Sequence, residues 1–171
     1  MNDNDITRLE ERALNAWPAL RERLHDGWLL RFSAGYSRRA NSVNLLRPST
    51  LPLAAKVDLC ERTYAAAGQP PLFKLTDRAD DGALDALLAE RGYAVEAPTQ
   101  VLVLPSLPAA KPDPAVRLMP APDPGWARAF CKLNGLDERH MPTMGRMFQR
   151  LAVPSRFAAV QVVENPIINR L

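Results

Sequence analysis

GWLLRFSAGYSRRANSVNLL, residues 27–46, is the stretch that decides the fold of this chain. Apolar side chains recur at every second position from Trp28 to Phe32, and again at Val43 and Leu45. This two-residue period is typical of paired strands, and Gly35 in the connection permits a backbone turn. The stretch therefore predicts an antiparallel hairpin, and we expect the remaining segments to cover the sheet that it starts.

Polar side chains with hydrogen-bonding groups lie at the tip and along one edge of this predicted hairpin. Arginine supplies paired N–H donors to a carboxylate or a phosphate, and loops held by a rigid scaffold often carry binding residues. The alternative is that the arginines only solvate the hairpin surface. The candidate substrate-binding residues are Arg31, Tyr36, Arg38, Arg39, Asn41 and Ser42.

The composition is that of a globular protein with one domain, or with one and a half smaller ones. The chain has 171 residues, of which 47% are apolar, and this is enough for a hydrophobic core. Its 22 basic and 19 acidic residues are interspersed, so the net charge of +3 does not indicate a nucleic-acid-binding tail. We expect no nucleic-acid partner, because no basic stripe with interleaved aromatic residues is present.

The cysteines and the N-terminal residues predict a soluble protein of the cytoplasm. Cys60 and Cys131 are far apart and lack the spacing of zinc ligands, so we expect neither a disulfide framework nor a bound metal. The start of the chain, MNDNDITRLEER, is acidic and amphipathic, unlike a signal peptide. No long uncharged apolar run follows it, so we expect no membrane partner.

Residues 6–104 predict the order helix, hairpin, helix, strand, helix, strand. Asp5 is expected to cap the first helix, a charged connector follows, and Gly68 and Gly92 are expected to end the next two helices. Strands are predicted at residues 72–76 and within 93–104, where the apolar run VLVL is typical of a sheet interior. The inward stripe of the second helix is predicted to be Leu53, Val57, Cys60 and Tyr64.

A proline-rich segment, PSLPAAKPDPA, predicts a semi-rigid linker at residues 105–115. It divides the chain into an N-terminal lobe, residues 1–104, and a second lobe, residues 116–171. The second lobe is expected to contain a strand at 116–119, two helices and a strand at 156–163. The inward residues of its helices are predicted to be Trp126, Phe130 and Leu133, then Met144, Phe148 and Leu151.

Four phrases of the sequence together resemble a known family. They are AWPA at 16–19, DGWLLR at 26–31, RRANSV at 38–43 and ERGY at 90–93. Their joint occurrence resembles bacterial GNAT-family N-acetyltransferases that are built of two GNAT-like lobes in tandem. The resemblance implies an α+β fold with a mixed sheet flanked by helices, as one complete lobe plus an incomplete second lobe. It also implies transfer of an acetyl group from acetyl-CoA to an amine of a small molecule or a protein.

One feature of that family is missing from the sequence. GNAT enzymes hold the pyrophosphate of acetyl-CoA with backbone N–H groups in a Gly-x-Gly type loop at a helix N-terminus. No Gly-x-Gly occurs in this chain, and residues 162–171 do not resemble what should follow the family's strand at 156–161. We therefore expect a truncation or a shifted reading frame within the second lobe. The alternative function is a non-catalytic interaction module or an inactive fragment, with a possible homodimer through the unpaired strand near 156–163.

No catalytic residue can be assigned from the sequence. Acetyl transfer needs a base for the ammonium group and a donor to the thioester oxygen. His25 and His140 are isolated, Tyr93 is expected to pack at the start of a strand, and Cys131 lacks a partner base. The methionines at 141, 144 and 147 follow a helical period and are expected in the core rather than at a soft-metal site.

Overall fold

The computed structural model describes residues 2–76, 78, 81–106, 108–109 and 111–160. These residues form two compact units. The first unit comprises residues 2–96 together with Arg139–Val153, and the second comprises residues 97–138 and 154–160. Arg139–Val153, predicted from the sequence to lie in the second lobe, thus belongs to the first unit. The assignment of the chain to two GNAT-like lobes with a linker stays a prediction.

A four-stranded mixed sheet is the centre of the first unit, in the order β1-β2-β3-β4. The predicted hairpin is confirmed as β2 and β3, with Leu30 opposite Val43 and Trp28 opposite Leu45. β1 and β2 are antiparallel, whereas β3 and β4 are parallel. The four strands are β1 (Arg21–His25), β2 (Trp28–Phe32), β3 (Val43–Leu45) and β4 (Phe73–Lys74).

The charged connector of the sequence-based prediction is in fact the edge strand β1. Asp26 and Gly27 have φ values of 42° and 81° and form the two-residue turn between β1 and β2. Asp-Gly is a strong signal for such a turn, because both central residues need positive φ. The strand was missed because its sequence, RERLH, is mostly charged and exposed, as is typical of a protected sheet edge.

Five α-helices are present in the described residues: α1 (Asp3–Ala16), α2 (Leu53–Ala66), α3 (Asp81–Glu90), α4 (Pro124–Leu133) and α5 (Met141–Phe148). Asn2 caps α1, since its side chain accepts a hydrogen bond from Asp5 N at 2.9 Å. The prediction that Asp5 is the cap is therefore corrected: Asp5 completes a capping box with Asn2. Gly68 and Gly92 follow α2 and α3 with positive φ, as predicted.

The hydrophobic core of the first unit lies between the sheet and helices α2 and α3. Each buried side chain of this size contributes about 1.5–3 kcal/mol through the apolar surface that it removes from water. All five residues of β2 are buried, so the strand is covered on both faces. The core residues are Trp28, Leu30, Phe32, Val43, Val57, Cys60, Tyr64, Leu84 and Leu88.

The predicted strand at 93–104 is absent, and this expectation was wrong. In that segment Val101, Leu102, Val103 and Leu104 are 61%, 89%, 55% and 64% exposed, although their sequence predicted a sheet interior. A continuous apolar run forms an interior strand only where neighbouring strands and helices cover it, and no described strand pairs with this one. The strand predicted at 72–76 is shorter than expected, since β4 covers only Phe73–Lys74.

The second unit contains α4 and a two-stranded antiparallel sheet of β5 (Val116–Met119) and β6 (Phe157–Val160). Trp126 stacks on Phe130 and meets Phe157 edge-on, with ring centroids 5.1 and 5.2 Å apart. Leu133, predicted to face inward, is 86% exposed, whereas Cys131 is fully buried. The predicted strand at 156–163 is observed as β6, and its residues 161–163 lie outside the described part of the chain.

Across the described ranges, none of the helices has both the length and the apolar character that crossing a membrane requires. The cytoplasmic location stays a prediction.

Candidate functional site

Arg31, one of the predicted substrate-binding residues, is buried, with an exposed fraction of 1%. Its Nε donates to Glu22 on β1 at 3.1 Å, and its Nη1 donates to the carbonyl of Arg39 at 2.8 Å. Its Nη2 donates to the carbonyls of Leu14 and Trp17, where the end of α1 favours a cation. Burial lowers the pKa of Arg31, and the carboxylate of Glu22 opposes that shift. The structure thus uses Arg31 to tie α1, β1 and the hairpin tip together.

Tyr36 belongs to an aromatic cluster at the hairpin tip, and its side chain is buried. Its ring stacks on Trp17, with centroids 6.2 Å apart, and is tilted against His140 at 5.7 Å. Phe148 meets Trp17 edge-on at 5.7 Å, and Trp17 Nε1 donates to the hydroxyl of Ser37 at 2.9 Å. His140, which is isolated in the sequence, is therefore brought against a candidate site residue by the fold.

Asn41 organises the backbone of the hairpin loop from inside. Its Oδ1 accepts hydrogen bonds from the N–H groups of Ser33 and Gly35, at 2.7 and 3.0 Å. Its Nδ2 donates to the carbonyl of Ser37 at 2.7 Å. Backbone groups in a loop need such partners, because an unpaired buried N–H costs about 1–3 kcal/mol. Asn41 is thus a loop-forming residue in this structure.

Arg38 and Arg39 are the exposed cations of the predicted set. They lie in a short 3-10 turn, Arg38–Ala40, at the hairpin tip. Arg38 Nη2 lies 3.2 Å from a carboxylate oxygen of Glu96, with both side chains more than half exposed. The hydroxyl of Ser42, which is buried, donates to the carbonyl of Arg39 at 3.4 Å. The structure therefore divides the predicted set: Arg31, Asn41 and Ser42 hold the loop, and Arg38 and Arg39 face solvent beside Tyr36.

A second polar cluster, not found from the sequence, is centred on the carboxylate of Asp26. It accepts hydrogen bonds from the N–H groups of Thr50 and Leu51 at 3.0 Å, and from the Thr50 hydroxyl at 2.7 Å. The hydrogen bond from Leu51, followed by that from the Thr50 hydroxyl, lowers the pKa of Asp26 well below its usual value. Asp26 thus fixes the chain between β3 and α2, which we call the pinned loop, residues 46–52.

Lys56 and Gly27 fix the same loop at two further points. The fully buried ammonium group of Lys56 donates to the hydroxyl of Ser49 and lies 4.0 Å from the centre of the Trp28 ring. Burial lowers the pKa of Lys56, and its hydrogen bond to Asp26 opposes this shift. A Cβ on Gly27 would lie 2.6 Å from the carbonyl oxygen of Arg47, so the loop backbone rests directly on this glycine.

The pinned loop borders a cleft of about 470 Å³ within the first unit. Residues from the first turns of α1, from β2 and β3, from the start of α2 and from α3 also line it. The charged residues that line it are Asp3, Arg47 and Arg78, and the larger apolar ones are Trp28, Leu45, Leu46, Leu53 and Leu84. No local sequence pattern indicates this cleft, because its walls come from segments far apart in the chain.

Arg78 connects the cleft to a smaller polar cavity of about 10 Å³, which suits one water molecule. Its Nη2 donates to the carbonyl of Leu45 at 2.7 Å and lies 3.5 Å from Asp81 Oδ1. Asp81 Oδ2 accepts hydrogen bonds from the N–H and the hydroxyl of Thr76. Among the described residues, the buried Arg78 Nε and Asp81 Oδ1 have no hydrogen-bond partner. Lys74, paired with Glu10, also lines this smaller cavity.

Several groups with chemistry of their own are held inactive by burial. Burial raises the pKa of the Cys60 thiol to about 12, and it also raises the pKa of Tyr64. Burial, followed by a hydrogen bond to Glu61, raises the pKa of Tyr93 to about 12. Within the described ranges no group of three or more His, Cys, Asp or Glu side chains is placed to hold a metal ion. None of these three hydroxyl or thiol groups is poised to exchange a proton near neutral pH.

Comparison with known proteins gives the family. The family model described as "Probable histone acetyltransferase Rv0428c C-terminal" matches residues 3–146, which is most of the chain. The chain belongs to this acetyltransferase family. Its recognition as a GNAT-family N-acetyltransferase from the phrases at 16–19, 26–31, 38–43 and 90–93 is thereby confirmed.

A curated relative of this chain is the protein of Bacillus subtilis (strain 168) described as "Uncharacterized N-acetyltransferase YobR". The two are 26% identical over 152 residues, which cover 86% of this chain and 61% of the relative. The chain therefore spans less than two thirds of the length of that relative. No solved structure matches the chain significantly.

Proposed function

We propose that this chain acts in N-acetyl transfer, moving an acetyl group from acetyl-CoA to an amine. In this reaction the amine loses a proton, a carbon–nitrogen bond forms at the thioester carbonyl, and the carbon–sulfur bond breaks to release coenzyme A as a thiol. The observation that carries the proposal is the family match over residues 3–146. The printed name of the relative, an N-acetyltransferase, supports the same reaction class.

Within that reaction the hairpin tip is proposed to bind the acceptor substrate. Arg38 and Arg39 are exposed on one short turn that closely follows Tyr36 in the chain, and the Tyr36 ring stacks on Trp17. Exposed guanidinium groups recognise a carboxylate or a phosphate through paired hydrogen bonds. The tip is also a firm platform, because Arg31 and Asn41 hold its backbone from inside.

The experiment is an assay of coenzyme A thiol release from acetyl-CoA with a panel of amines. Histone peptides are the first acceptors, given the family description, followed by polyamines and amino acids. We expect release that depends on one class of amine. Arg38→Gln combined with Arg39→Gln should raise KM for that amine with little change in kcat, as expected when an interaction with substrate is lost from ground state and transition state alike.

The matched control is Arg62→Gln, which removes an exposed arginine of α2 outside the hairpin tip. It should leave both kinetic constants unchanged. Thiol release that does not depend on any amine would contradict the proposed reaction, and equal kinetic effects of the tip and control variants would contradict the proposed role of the tip.

A second candidate function is a non-catalytic interaction module, and two observations favour it. The sequence contains no Gly-x-Gly for a pyrophosphate loop, and the apolar segment Val101–Leu104 is exposed. In this role a second copy would pair with β6, whose second edge is not paired by any described strand. A dimer whose fraction rises with concentration in sedimentation experiments, together with no acetyl transfer, would support this candidate over the enzyme.

A further inference from the structure

We propose that the cleft bordered by the pinned loop binds a small organic carboxylate with a short aliphatic body. This site lies within the first unit and is independent of the hairpin tip and of the acetyl-transfer reaction. Three properties of the cleft carry the inference: an arginine at its rim, Arg47, that has no described partner, its aliphatic lining and the way in which its wall is fixed.

The charges around the cleft leave room for an anion. Arg47 is exposed and makes no side-chain hydrogen bond or ion pair with any described residue. Arg78 is already paired, since its Nη2 donates to the carbonyl of Leu45 at 2.7 Å and forms an ion pair with Oδ1 of Asp81 at 3.5 Å. Among the described residues that line the cleft, Asp3 at the start of α1 is the one acidic side chain. Arg47 is therefore the cleft-lining guanidinium that has no carboxylate partner among the described residues, and it can donate paired hydrogen bonds to a bound carboxylate.

The apolar residues that line the cleft indicate that the body of the ligand is aliphatic. Leu45, Leu46 and Leu53 are half-buried, and the fully buried Leu84 and Trp28 also contribute to the lining. Ligand sites are typically apolar concavities in which a few polar groups fix the orientation. An aliphatic chain removes this surface from water, whereas a bare inorganic anion would not.

The cleft is formed before any ligand arrives. Four hydrogen bonds hold the pinned loop. The N–H and the hydroxyl of Thr50 and the N–H of Leu51 donate to Asp26, and Lys56 donates to the hydroxyl of Ser49. The loop backbone also rests on Gly27. A wall fixed in this way has little freedom to lose when a ligand binds, so more of the contact energy appears as affinity. A backbone hydrogen bond keeps Arg47 at the rim of the cleft, since its N–H donates to the carbonyl of Gly27 at 3.1 Å.

The test is an NMR titration of the 15N-labelled protein with hexanoate, with hexanamide as the neutral isostere and inorganic phosphate as the anion without a body. We expect hexanoate to shift the amide signals of residues 45–47, 49, 53 and 83–84, and to bind about tenfold more tightly than hexanamide, the size of one charge-assisted hydrogen bond. Phosphate should bind more weakly than hexanoate.

Two variants locate the site. Arg47→Gln should weaken hexanoate about tenfold, and Ala83→Trp, at an exposed cleft-lining position on α3, should block it. Arg62→Gln should bind like the unmodified protein. Equal binding of hexanoate and hexanamide, equal binding of phosphate, shifts confined to other residues, or equal effects of Arg47→Gln and Arg62→Gln would each overturn the proposal.

Discussion

The ammonium group of Lys56 lies 3.3 Å from Oδ2 of Asp26, and this ion pair joins the start of α2 to the turn before β2. The side chain of Lys56 is fully buried, whereas that of Asp26 is 13% exposed. A buried cation without its carboxylate is costly, while an apolar side chain in the same place is not. The two members of the pair are therefore not equivalent.

We predict that Asp26→Ala destabilises the protein more than Lys56→Met does. Asp26→Ala leaves the buried ammonium group unpaired and removes the acceptor of the Thr50 and Leu51 N–H groups. Lys56→Met removes the buried charge and keeps most of the volume. Urea unfolding followed by circular dichroism measures both; a larger loss for Lys56→Met would show that the cation, not the carboxylate, organises the loop.

The lowered pKa of Asp26 also predicts how the stability of the protein changes with pH. Its pKa is lower in the folded state than in the unfolded chain, mainly through the hydrogen bond from Leu51. The stability that it contributes is therefore full above about pH 4, the ordinary pKa of aspartate, and is lost as the pH falls toward its folded-state pKa. Asp26→Asn should flatten this part of the stability curve between about pH 4 and pH 2.

The matched control for that pH experiment is Asp85→Asn, which changes an exposed carboxylate of α3. It should leave the acid limb of the curve as it is in the unmodified protein. An Asp26→Asn variant whose stability falls with acid as steeply as that of the control would contradict the assignment.

A comparison of Gly27 with Gly35 separates two costs of replacing a glycine: the strain of a positive φ, and the clash of a new Cβ with a neighbouring backbone. Both have positive φ, 81° and 71°, but a Cβ on Gly27 would lie 2.6 Å from Arg47 O, whereas no described residue other than its chain neighbours comes within 4 Å of a Cβ on Gly35. Gly35→Ala should cost about 1–2 kcal/mol, the left-handed penalty alone. Gly27→Ala should cost distinctly more in urea unfolding; equal losses would mean that the pinned loop moves away freely.

At the hairpin tip we expect substitution of a buried, loop-forming residue to lower the free energy of unfolding more than substitution of an exposed one. Asn41→Ala should reduce the free energy of unfolding by about 1–3 kcal/mol, because backbone N–H groups of Ser33 and Gly35 lose their acceptor. Arg38→Ala should change it by about 1 kcal/mol or less, since its pair with Glu96 is exposed. Chemical denaturation of the two variants side by side checks this, and a greater loss for Arg38→Ala would refute the division.

Much of the fold was predictable because its signals are local. The alternation at Trp28, Leu30 and Phe32 predicted β2, and the helical period of Val57, Cys60 and Tyr64 predicted the buried face of α2. β1 was missed because an exposed edge strand has no apolar period to detect.

The site was less predictable, because its contacts join distant parts of the chain. Arg31 points to the face of β2 opposite to Leu30 and Phe32, and a polar residue in such a pattern normally indicates a face exposed to solvent. In the structure α1 covers that face, and Arg31 joins the strand to the end of α1. Asp26 and Lys56 are 30 residues apart and meet only after the hairpin and α2 have formed. The segment Val101–Leu104 shows the opposite failure: its apolar composition predicted burial, which depends on covering elements that composition does not reveal.

The most direct test of the proposed acetyl transfer is the thermal unfolding of the purified chain with and without acetyl-CoA, with adenosine at the same concentration as the control. A ligand at a hundred times its Kd adds about 2.7 kcal/mol of stability. For a protein of this size that raises Tm by about 5–10 °C. We predict such a rise with acetyl-CoA and none with adenosine. A cooperative transition at an unchanged Tm would contradict the account and favour the interaction module.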